Sequence, residues 1–292
     1  MNPQQPSPPM PVCVRHTDRP TGLACTRCGR PACPECLRPA SVGQHCVDCI
    51  RADQRGTRKV REVSGAVAAR TATPFVTYVL IALNVVVYAV TSVQARSLTG
   101  NEVESALFVD WVMFPPAVAG GEWFRVIGSG FLHYGLIHLL LNMLALYIVG
   151  RDIEIVLGRA RYLAVYLISL LGGSAAVMLL AQENLTAGAS GAVYGLFGAI
   201  TVILVRLRQN PNSMLILIGI NVFISFSLPG ISLWGHLGGL AAGTLATLGV
   251  LFLPEWLRVK SPQRARRVGV IALAVVAVAA LAVIGIAAAS LR

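Results

Sequence analysis

Seven apolar stretches alternate with polar segments from residue 74 onwards, and each is close to the length of a membrane-spanning helix. A spanning α-helix needs about 20 predominantly apolar residues. The fifth stretch is the weakest, because it is short and interrupted by Asn221. The pattern predicts an all-α, polytopic membrane helix bundle with a six-helix core at 74–253, a basic linker at 254–267 and a seventh helix within 268–292. The stretches lie at 74–93, 131–150, 161–181, 187–206, 213–229, 232–253 and 268–290.

Four longer segments lie before the first apolar stretch or between the first and the second. Residues 1–12 are rich in Pro and Gln, which predicts a disordered tail, and they carry no apolar run that would suggest a cleavable signal peptide. Residues 13–50 contain every cysteine, and 51–73 form a basic polar linker. The connection at 94–130 contains FVDWVMFPP and GGEWFRV, whose aromatic residues favour a partly inserted interfacial loop.

The composition agrees with a membrane protein. Of the 292 residues, 55% are hydrophobic and 13% are charged, which is too apolar for an ordinary soluble domain. The net charge of +11 is spread in short clusters between apolar runs rather than gathered in one patch, so nucleic acid is not an expected partner.

The positions of the basic residues predict the orientation. Cytosolic loops of membrane proteins carry an excess of Lys and Arg. With the N-terminus in the cytosol, the outer segments contain only Arg96, Arg125 and Arg292. We therefore expect a multi-pass plasma-membrane protein with a cytosolic N-terminus and an outer C-terminus. The inner basic residues are Arg51, Arg55, Arg58, Lys59, Arg61, Arg70, Arg151, Arg159, Arg161, Arg206, Arg208, Arg258, Lys260, Arg264, Arg266 and Arg267.

A few polar residues lie inside the apolar stretches, where burial in lipid is costly and usually reflects function. In this orientation the second, fourth and sixth spans all run from outside to inside, and each of these residues falls in the outer half of its span or close to its middle. Three helices therefore bring polar groups to one depth. The residues are His133, His138 and Asn142 in the second span, Ser190 and Tyr194 in the fourth, and His236 in the sixth.

Ser190 lies in the sequence GASG (188–191), at the start of its helix. Free backbone N–H groups and the helix dipole favour a developing anion there. Small residues on this helix and on the helix of His236 allow a close approach. If the two faces meet, Ser190 and His236 can form the hydrogen bond that an activated nucleophile requires. The small residues are Gly191, Gly195 and Gly198 on the fourth span and Gly239 and Gly243 on the sixth.

The spans contain no acid that would complete a triad, so we predict a Ser–His dyad. Ser190 is the expected nucleophile and His236 the base, with Tyr194 stacked on the imidazole. His138 and Asn142 are four residues apart and share a helix face, so both can donate to an oxyanion together with the Ser190 N–H. Between Glu122 and Glu255 the carboxylates are Asp152 and Glu154, on an inner loop, and Glu183, on an outer loop.

Four segments, in order, resemble the rhomboid intramembrane serine proteases. They are the Trp123–Arg125 region, HYGLIHLLLN (133–142), GASGAVYG (188–195) and GHLGGLAAG (235–243). The usual Trp-Arg pair of that family is Trp-Phe-Arg here, which bears on the role of Arg125 in bracing the loop.

The resemblance implies an endopeptidase that cleaves transmembrane segments of membrane proteins near the outer membrane boundary. The serine would attack the scissile carbonyl, and the histidine of the sixth helix would act as general base and then as general acid. Oxyanion roles fall on His138 and Asn142, and Gly188 and Gly191 belong to the nucleophile motif. The resemblance also implies a water-accessible cavity open to the outer face, transmembrane proteins as substrates and no cofactor for catalysis.

The cysteine-rich segment has ligand pairs at the spacing C-x2-H-x8-C-x2-C-x4-C-x2-C-x8-H-C-x2-C. Seven cysteines at this spacing favour metal ligation in a reducing compartment over disulfides. A segment of about 40 residues is too small to fold on a hydrophobic core alone and needs a stabilising element such as a bound metal. We expect two structural zinc ions and a docking role for an unknown cytosolic partner. The module resembles a B-box-type zinc finger, which implies one site from Cys13, His16, Cys33 and Cys36 and a second from Cys25, Cys28, Cys46 and Cys49, with His45 left over.

Two other functions remain open at this point. A catalytically inactive rhomboid-like adaptor or quality-control protein would keep the fold without the chemistry, and the presence of Ser190 and His236 argues against it. A transporter could use His133, His138 and His236 as a proton relay, and would show pH-dependent flux that ignores Ser190→Ala. The lack of acids within the spans disfavours the transporter.

Overall fold

The computed structural model describes residues 9–40, 42–56 and 73–292, which fall into two compact units, Met1–Val60 and Arg61–Arg292. Most of the predicted tail at 1–12 and of the predicted basic linker at 51–73 therefore lies outside the described residues. Each unit is treated by itself below.

The N-terminal unit is small and cysteine-rich, and its described residues form little regular structure. An antiparallel hairpin pairs β1 (Leu37–Pro39) with β2 (Gln44–Cys46), and helix α1 (Val47–Gly56) follows directly. Its buried cluster consists of six cysteines with Ala32 and Leu37 as the only other members. So few buried apolar side chains are a small core for a fold of this size, and the cysteines make up most of it.

The second unit is a helix bundle, and every predicted span contains a helix. Helix α6 continues through a π-helical turn at Leu146–Gly150 into α7, and short helices occupy the predicted interfacial loop. The long helices are α2 (Phe75–Ala95), α6 (Gly135–Ala145), α7 (Arg151–Leu157), α8 (Arg159–Leu180), α9 (Ser190–Arg206), α10 (Asn212–Ser227), α11 (Leu233–Leu251) and α13 (Pro262–Ser290). The short helices are α3 (Ala106–Trp111), α4 (Pro115–Ala119), α5 (Arg125–Gly128) and α12 (Leu253–Trp256).

By length and hydropathy alone, three of the described helices can cross a membrane, namely α2, α8 and α13. The segments Arg125–Phe131 and Gly135–Leu157, bent by 92° at their junction, can form a fourth span. The apolar helix α9 has 17 residues, or about 25 Å of helix. It is shorter than the predicted span because 187–189 is irregular backbone, which a membrane tolerates where protein surrounds it.

Two residues lie in different surroundings from those predicted. His133 precedes α6 instead of lying within a helix, and it is fully buried with neither ring nitrogen hydrogen-bonded to any residue that the structure describes. Glu154 was predicted on an inner loop but belongs to α7, where it is buried. Its carboxylate accepts the backbone N–H groups of Val76 and Thr77 at 3.0 and 2.8 Å. A helix start leaves such N–H groups unpaired, so the buried acid caps α2.

Helices α8, α9 and α11 form the tightly packed centre of the bundle. A Cβ built on Gly239 would lie 2.0 Å from the Gly191 carbonyl oxygen, and one on Gly243 would lie 2.4 Å from the Gly195 carbonyl oxygen. The glycine faces of α9 and α11 therefore meet backbone to backbone, as the sequence predicts. On α8, a Cβ at Gly172 would lie 2.8 Å from the Gly238 carbonyl oxygen, which brings a third helix into the same contact.

Helices α10 and α13 lie outside this centre. Ser225 is the buried residue of α10, all of which the structure describes. Helix α13 packs on α8 and α11 and reaches α4, with Ile284 and Ala287 buried beside Val118. The seventh helix therefore supports the loop at 94–130 as well as the bundle.

Candidate active site

The Oγ atom of Ser190 lies 2.8 Å from Nε2 of His236. Ser190 is the first residue of α9, and His236 lies in the first turn of α11, which begins at Leu233 with the Ser232 hydroxyl capping it. The glycine contacts between the two helices set this distance, because any larger side chain there would hold the helices apart. The structure thus brings together the two residues that the sequence singles out.

Tyr194 packs flat against the imidazole of His236. The ring centroids are 4.0 Å apart and the planes are inclined by 13°. Tyr194 lies one helical turn beyond Ser190, so both side chains project from the same face of α9. The stack restricts rotation of the histidine about its side-chain bonds, in the arrangement that the sequence predicts.

Sequence reasoning missed a third hydroxyl at this site. Ser225 of α10 lies with its Oγ 2.8 Å from Nδ1 of His236 and 3.0 Å from the phenol oxygen of Tyr194. A serine hydroxyl therefore occupies the position at Nδ1 where a triad would place an acid. The available signal was a polar residue four positions after Asn221 in an apolar helix. That signal is weak, because serine in a helix commonly bonds its own backbone.

His138 and Asn142 lie four residues apart on α6, and the His138 ring lies beside Gly188. The backbone N–H of Tyr134 donates to Nδ1 of His138 at 3.3 Å, so Nε2 of this neutral ring carries the proton and is a donor. A Cβ on Gly188 would lie 2.9 Å from this Nε2 and 3.4 Å from Ser190 Oγ, so the donor and the nucleophile flank the same glycine. Asn142 Nδ2 donates to the His138 carbonyl at 2.9 Å and has a second N–H to offer.

A small cavity of about 30 Å³ adjoins Ser190 and His236. Ser129, Ser174 and Gly188 are among its other lining residues. A water molecule requires roughly 10–15 Å³ of such volume and two to four polar partners. The cavity therefore has the size to admit a water molecule beside Ser190 and His236.

The loop at 94–130 is anchored by Arg125, which is buried. Its guanidinium donates to Glu122 at 2.7 Å and to the carbonyl oxygens of Val109 and Val112, each at 2.8 Å. Met113 in the same loop forms a β-bridge with Thr186, four residues before Ser190. Arg125 therefore braces the loop in spite of the inserted Phe124, and the loop is tied to the segment that leads into the nucleophile.

Comparison with known proteins identifies the family. A profile described as "Rhomboid domain" matches residues 120–253. "Putative rhomboid protease YdcA" of Bacillus subtilis (strain 168) is 35% identical over 179 residues, which are 59% of this chain and 86% of that protein. The chain belongs to the rhomboid family. The predicted resemblance and the helical membrane fold are thereby confirmed.

Other rhomboids are similar over a smaller part of their own length. "Rhomboid protease GluP" of Bacillus subtilis (strain 168) is 33% identical over 187 residues, 62% of this chain and 36% of that protein. "RHOMBOID-like protein 4" of Arabidopsis thaliana is 34% identical over 145 residues, 48% of this chain and 37% of that protein. The chain thus spans little more than a third of these two rhomboids.

In the N-terminal unit, the cysteines and one histidine form two groups, each with ligand atoms within 4.8 Å of one another. The grouping is the one that the B-box resemblance implies, and His45 lies in β2 outside both groups. The Cys46 N–H donates to Cys25 Sγ at 3.1 Å and lowers the pKa of that thiol to about 6. A backbone N–H of Cys33 lowers the pKa of Cys13 in the same way, also to about 6. The groups are Cys13, His16, Cys33 and Cys36, and Cys25, Cys28, Cys46 and Cys49.

Proposed function

We propose that this rhomboid is an intramembrane serine endopeptidase that cleaves transmembrane segments near the outer boundary of the membrane. The observation that carries the proposal is the 2.8 Å contact between Ser190 Oγ and His236 Nε2. Such a contact is the signature of an activated nucleophile with its base. Relatives named rhomboid proteases support the same reaction class.

The proposed reaction begins when Ser190 Oγ attacks the scissile carbonyl and passes its proton to Nε2 of His236. The new C–O bond creates an oxyanion, which accepts hydrogen bonds from the Ser190 backbone N–H, His138 Nε2–H and the free Asn142 N–H. The imidazolium then returns its proton to the leaving amine as the peptide bond breaks. Water next attacks the acyl-enzyme by the same route, releasing the acid and restoring Ser190. No cofactor is needed for these steps.

The orientation in the plasma membrane is part of the proposal. The excess of Lys and Arg in alternate loops supports a cytosolic N-terminus and an outer C-terminus. Ser190 and His236 each lie at the outer start of their helices in that orientation. Cleavage would then occur near the outer surface, where water is at hand, and transmembrane proteins in the lipid bilayer would be the substrates.

The N-terminal groups fit two structural zinc ions. Three thiols with one imidazole, and four thiols, are the donor sets that zinc binds in closed tetrahedral sites. We propose that both ions stabilise a cytosolic docking module for a partner protein and play no part in the proteolytic chemistry. Neither group leaves a coordination position for substrate.

The proposed activity is tested by labelling with a fluorophosphonate in detergent and by cleavage of a single-span peptide with helix-destabilising residues near its outer end. Wild type should be labelled on Ser190 and should cut the peptide. Both signals should disappear in Ser190→Ala and fall by at least about a hundredfold in His236→Ala, because the base is lost.

Ser227→Ala, which removes an exposed hydroxyl from α10, is the matched control and should behave as wild type. An inactive adaptor predicts no labelling in any variant. A proton-relay transporter predicts flux in liposomes that Ser190→Ala leaves intact. Either result would contradict the protease.

A further inference from the structure

We propose that Ser225 of α10 is a positioning residue for catalysis, and this inference rests on the proposed protease function. Its hydroxyl oxygen accepts the Nδ1–H of His236. It thereby holds the histidine in the tautomer that leaves Nε2 free to take the proton of Ser190. Ser190, His236 and Ser225 are then joined by hydrogen bonds in that order, and the neutral hydroxyl of Ser225 occupies the position that an acid has in a catalytic triad.

The assignment follows from counting the proton and the lone pairs of one hydroxyl. Ser225 Oγ lies 2.7 Å from the carbonyl oxygen of Asn221. A carbonyl can only accept, so the single hydroxyl proton of Ser225 is used there. The contacts to Tyr194 and His236 must therefore be accepted by the two lone pairs of Ser225. Tyr194 donates its phenol proton, and His236 donates from Nδ1.

This count fixes the tautomer of His236. A neutral imidazole carries one proton, so a ring that donates from Nδ1 has a free lone pair on Nε2. That lone pair faces Ser190 Oγ at 2.8 Å and accepts its proton. In the opposite tautomer Nδ1 has no proton. Because the proton of Ser225 is donated to Asn221, no hydrogen atom would then lie between Nδ1 and Ser225 Oγ, and their 2.8 Å contact would bring two lone pairs together. The reactive tautomer is thus the one that the hydrogen bonds of α10 select.

The same bond acts during the reaction. When Ser190 transfers its proton, His236 becomes an imidazolium with protons on both nitrogens, and the Nδ1–H bond to Ser225 becomes charge-assisted and stronger. The proton of Ser225 stays on its oxygen, because it is committed to Asn221. The interaction therefore favours the charged state over the resting state, which is the condition for lowering a barrier.

Burial makes this contact effective. Ser225 is 4% exposed and His236 is 7% exposed, so water does not compete strongly for either group. Ser225 is also the buried residue of a helix that otherwise lies at the edge of the bundle. The alignment of the catalytic histidine consequently depends on how α10 is seated against α9 and α11.

The test compares Ser225→Ala, Ser225→Thr and the control Ser227→Ala in the full-length protein. For each, the rate of fluorophosphonate labelling of Ser190, kcat and KM for the single-span peptide, and the unfolding temperature are measured. Ser225→Ala should lower kcat and the labelling rate about tenfold, equivalent to about 1.4 kcal/mol, with KM unchanged. The buried donors that lose their acceptor lower the unfolding temperature, but the variant should remain folded at the assay temperature, so unfolding does not account for the lost activity. Ser225→Thr keeps the acceptor and should recover most of the loss.

The inference is overturned if Ser225→Ala labels and cleaves at the wild-type rate, or if Ser225→Thr is no better than Ser225→Ala. A rise in KM or a fall in unfolding temperature that accounts for the lost activity would also overturn it, because the residue would then serve the fold alone. If wild type is not labelled at Ser190, the proposed protease fails and this inference falls with it. If wild type is labelled at Ser190 and Ser225→Ala is labelled at the same rate, the role of Ser225 is refuted, whereas the proposed protease function is still supported.

Discussion

At the scale of single residues, Gly188 shows how little space the site leaves. Its φ of +131° is a conformation that residues with a Cβ rarely adopt. A Cβ there would also lie 2.7 Å from Cε1 of His138. We expect Gly188→Ala to push away the His138 ring and its oxyanion donor. Loss of one such donor costs about 10²–10³ in kcat, which peptide cleavage would measure.

The matched control for this substitution is Gly285→Ala, where a Cβ meets nothing within 4 Å. It should keep wild-type activity. The rate of fluorophosphonate labelling gives a second measure of the oxyanion donors, because the phosphoryl oxygen of the reagent also accepts hydrogen bonds from them when Ser190 attacks. Wild-type kcat in Gly188→Ala would show that His138 does not serve the oxyanion from this position.

The residues of the site differ in how well a sequence reveals them. Ser190 and His236 were predictable, because polar groups in apolar helices are rare and these two lie beside glycines. Ser225 was not, since a serine can satisfy its hydroxyl on its own helix, and only the three-dimensional arrangement shows that it also accepts from His236. His133 lies in the second apolar stretch and was predicted to be part of that span, but it precedes helix α6, and no described residue hydrogen-bonds to its ring nitrogens.

At the scale of the helices, the contact between α9 and α11 is the most constrained feature. A Cβ on Gly239 would approach the Gly191 carbonyl oxygen to 2.0 Å, and backbone cannot move aside as a side chain can. We expect Gly239→Ala to cost about 1–3 kcal/mol, which lowers the unfolding temperature by roughly 3–10 °C. Separating the helices also separates His236 from Ser190, so phosphonate labelling should fall further than stability alone explains.

Gly269→Ala on α13 is the control, because a Cβ there has its nearest neighbour at 3.5 Å, an ordinary contact. Its unfolding temperature should equal or slightly exceed that of wild type, since alanine favours the helix. Equal stability of Gly239→Ala and Gly269→Ala in detergent would refute the close packing of α9 and α11.

Helices were predictable from hydrophobicity alone, but their ends were not. Apolar length places a span, whereas the start of α9 at Ser190 depends on backbone hydrogen bonds such as Gly188 N–H to the Ser129 carbonyl at 2.9 Å. The position of Glu154 was mispredicted for a similar reason, because a charged residue that follows an apolar stretch is expected to lie in a loop. It is helical and buried because its carboxylate satisfies the unpaired N–H groups at the start of another helix.

At the scale of the whole molecule, the distribution of cysteine separates the proposed zinc module from the proposed protease. All seven cysteines lie between Cys13 and Cys49, so thiol reagents report on that module alone. We expect a membrane-impermeant maleimide to leave intact cells unlabelled, because the proposed orientation places the module in the cytosol. After permeabilisation the bound zinc should protect the thiols, and a chelator should expose all seven while Ser190 labelling stays at its original rate.

Two variants make this separation quantitative. His16→Ala removes a ligand from one group and should lower bound zinc from about two ions to about one, measured by release to a chromophoric chelator, since a tetrahedral site needs four ligands. His45→Ala lies outside both groups and should retain both ions. Maleimide labelling of intact cells would contradict the cytosolic N-terminus. Loss of Ser190 labelling on chelation would mean that the metal sites support the protease, because the groups that contact Ser190 and His236 lie in the unit that begins at Arg61.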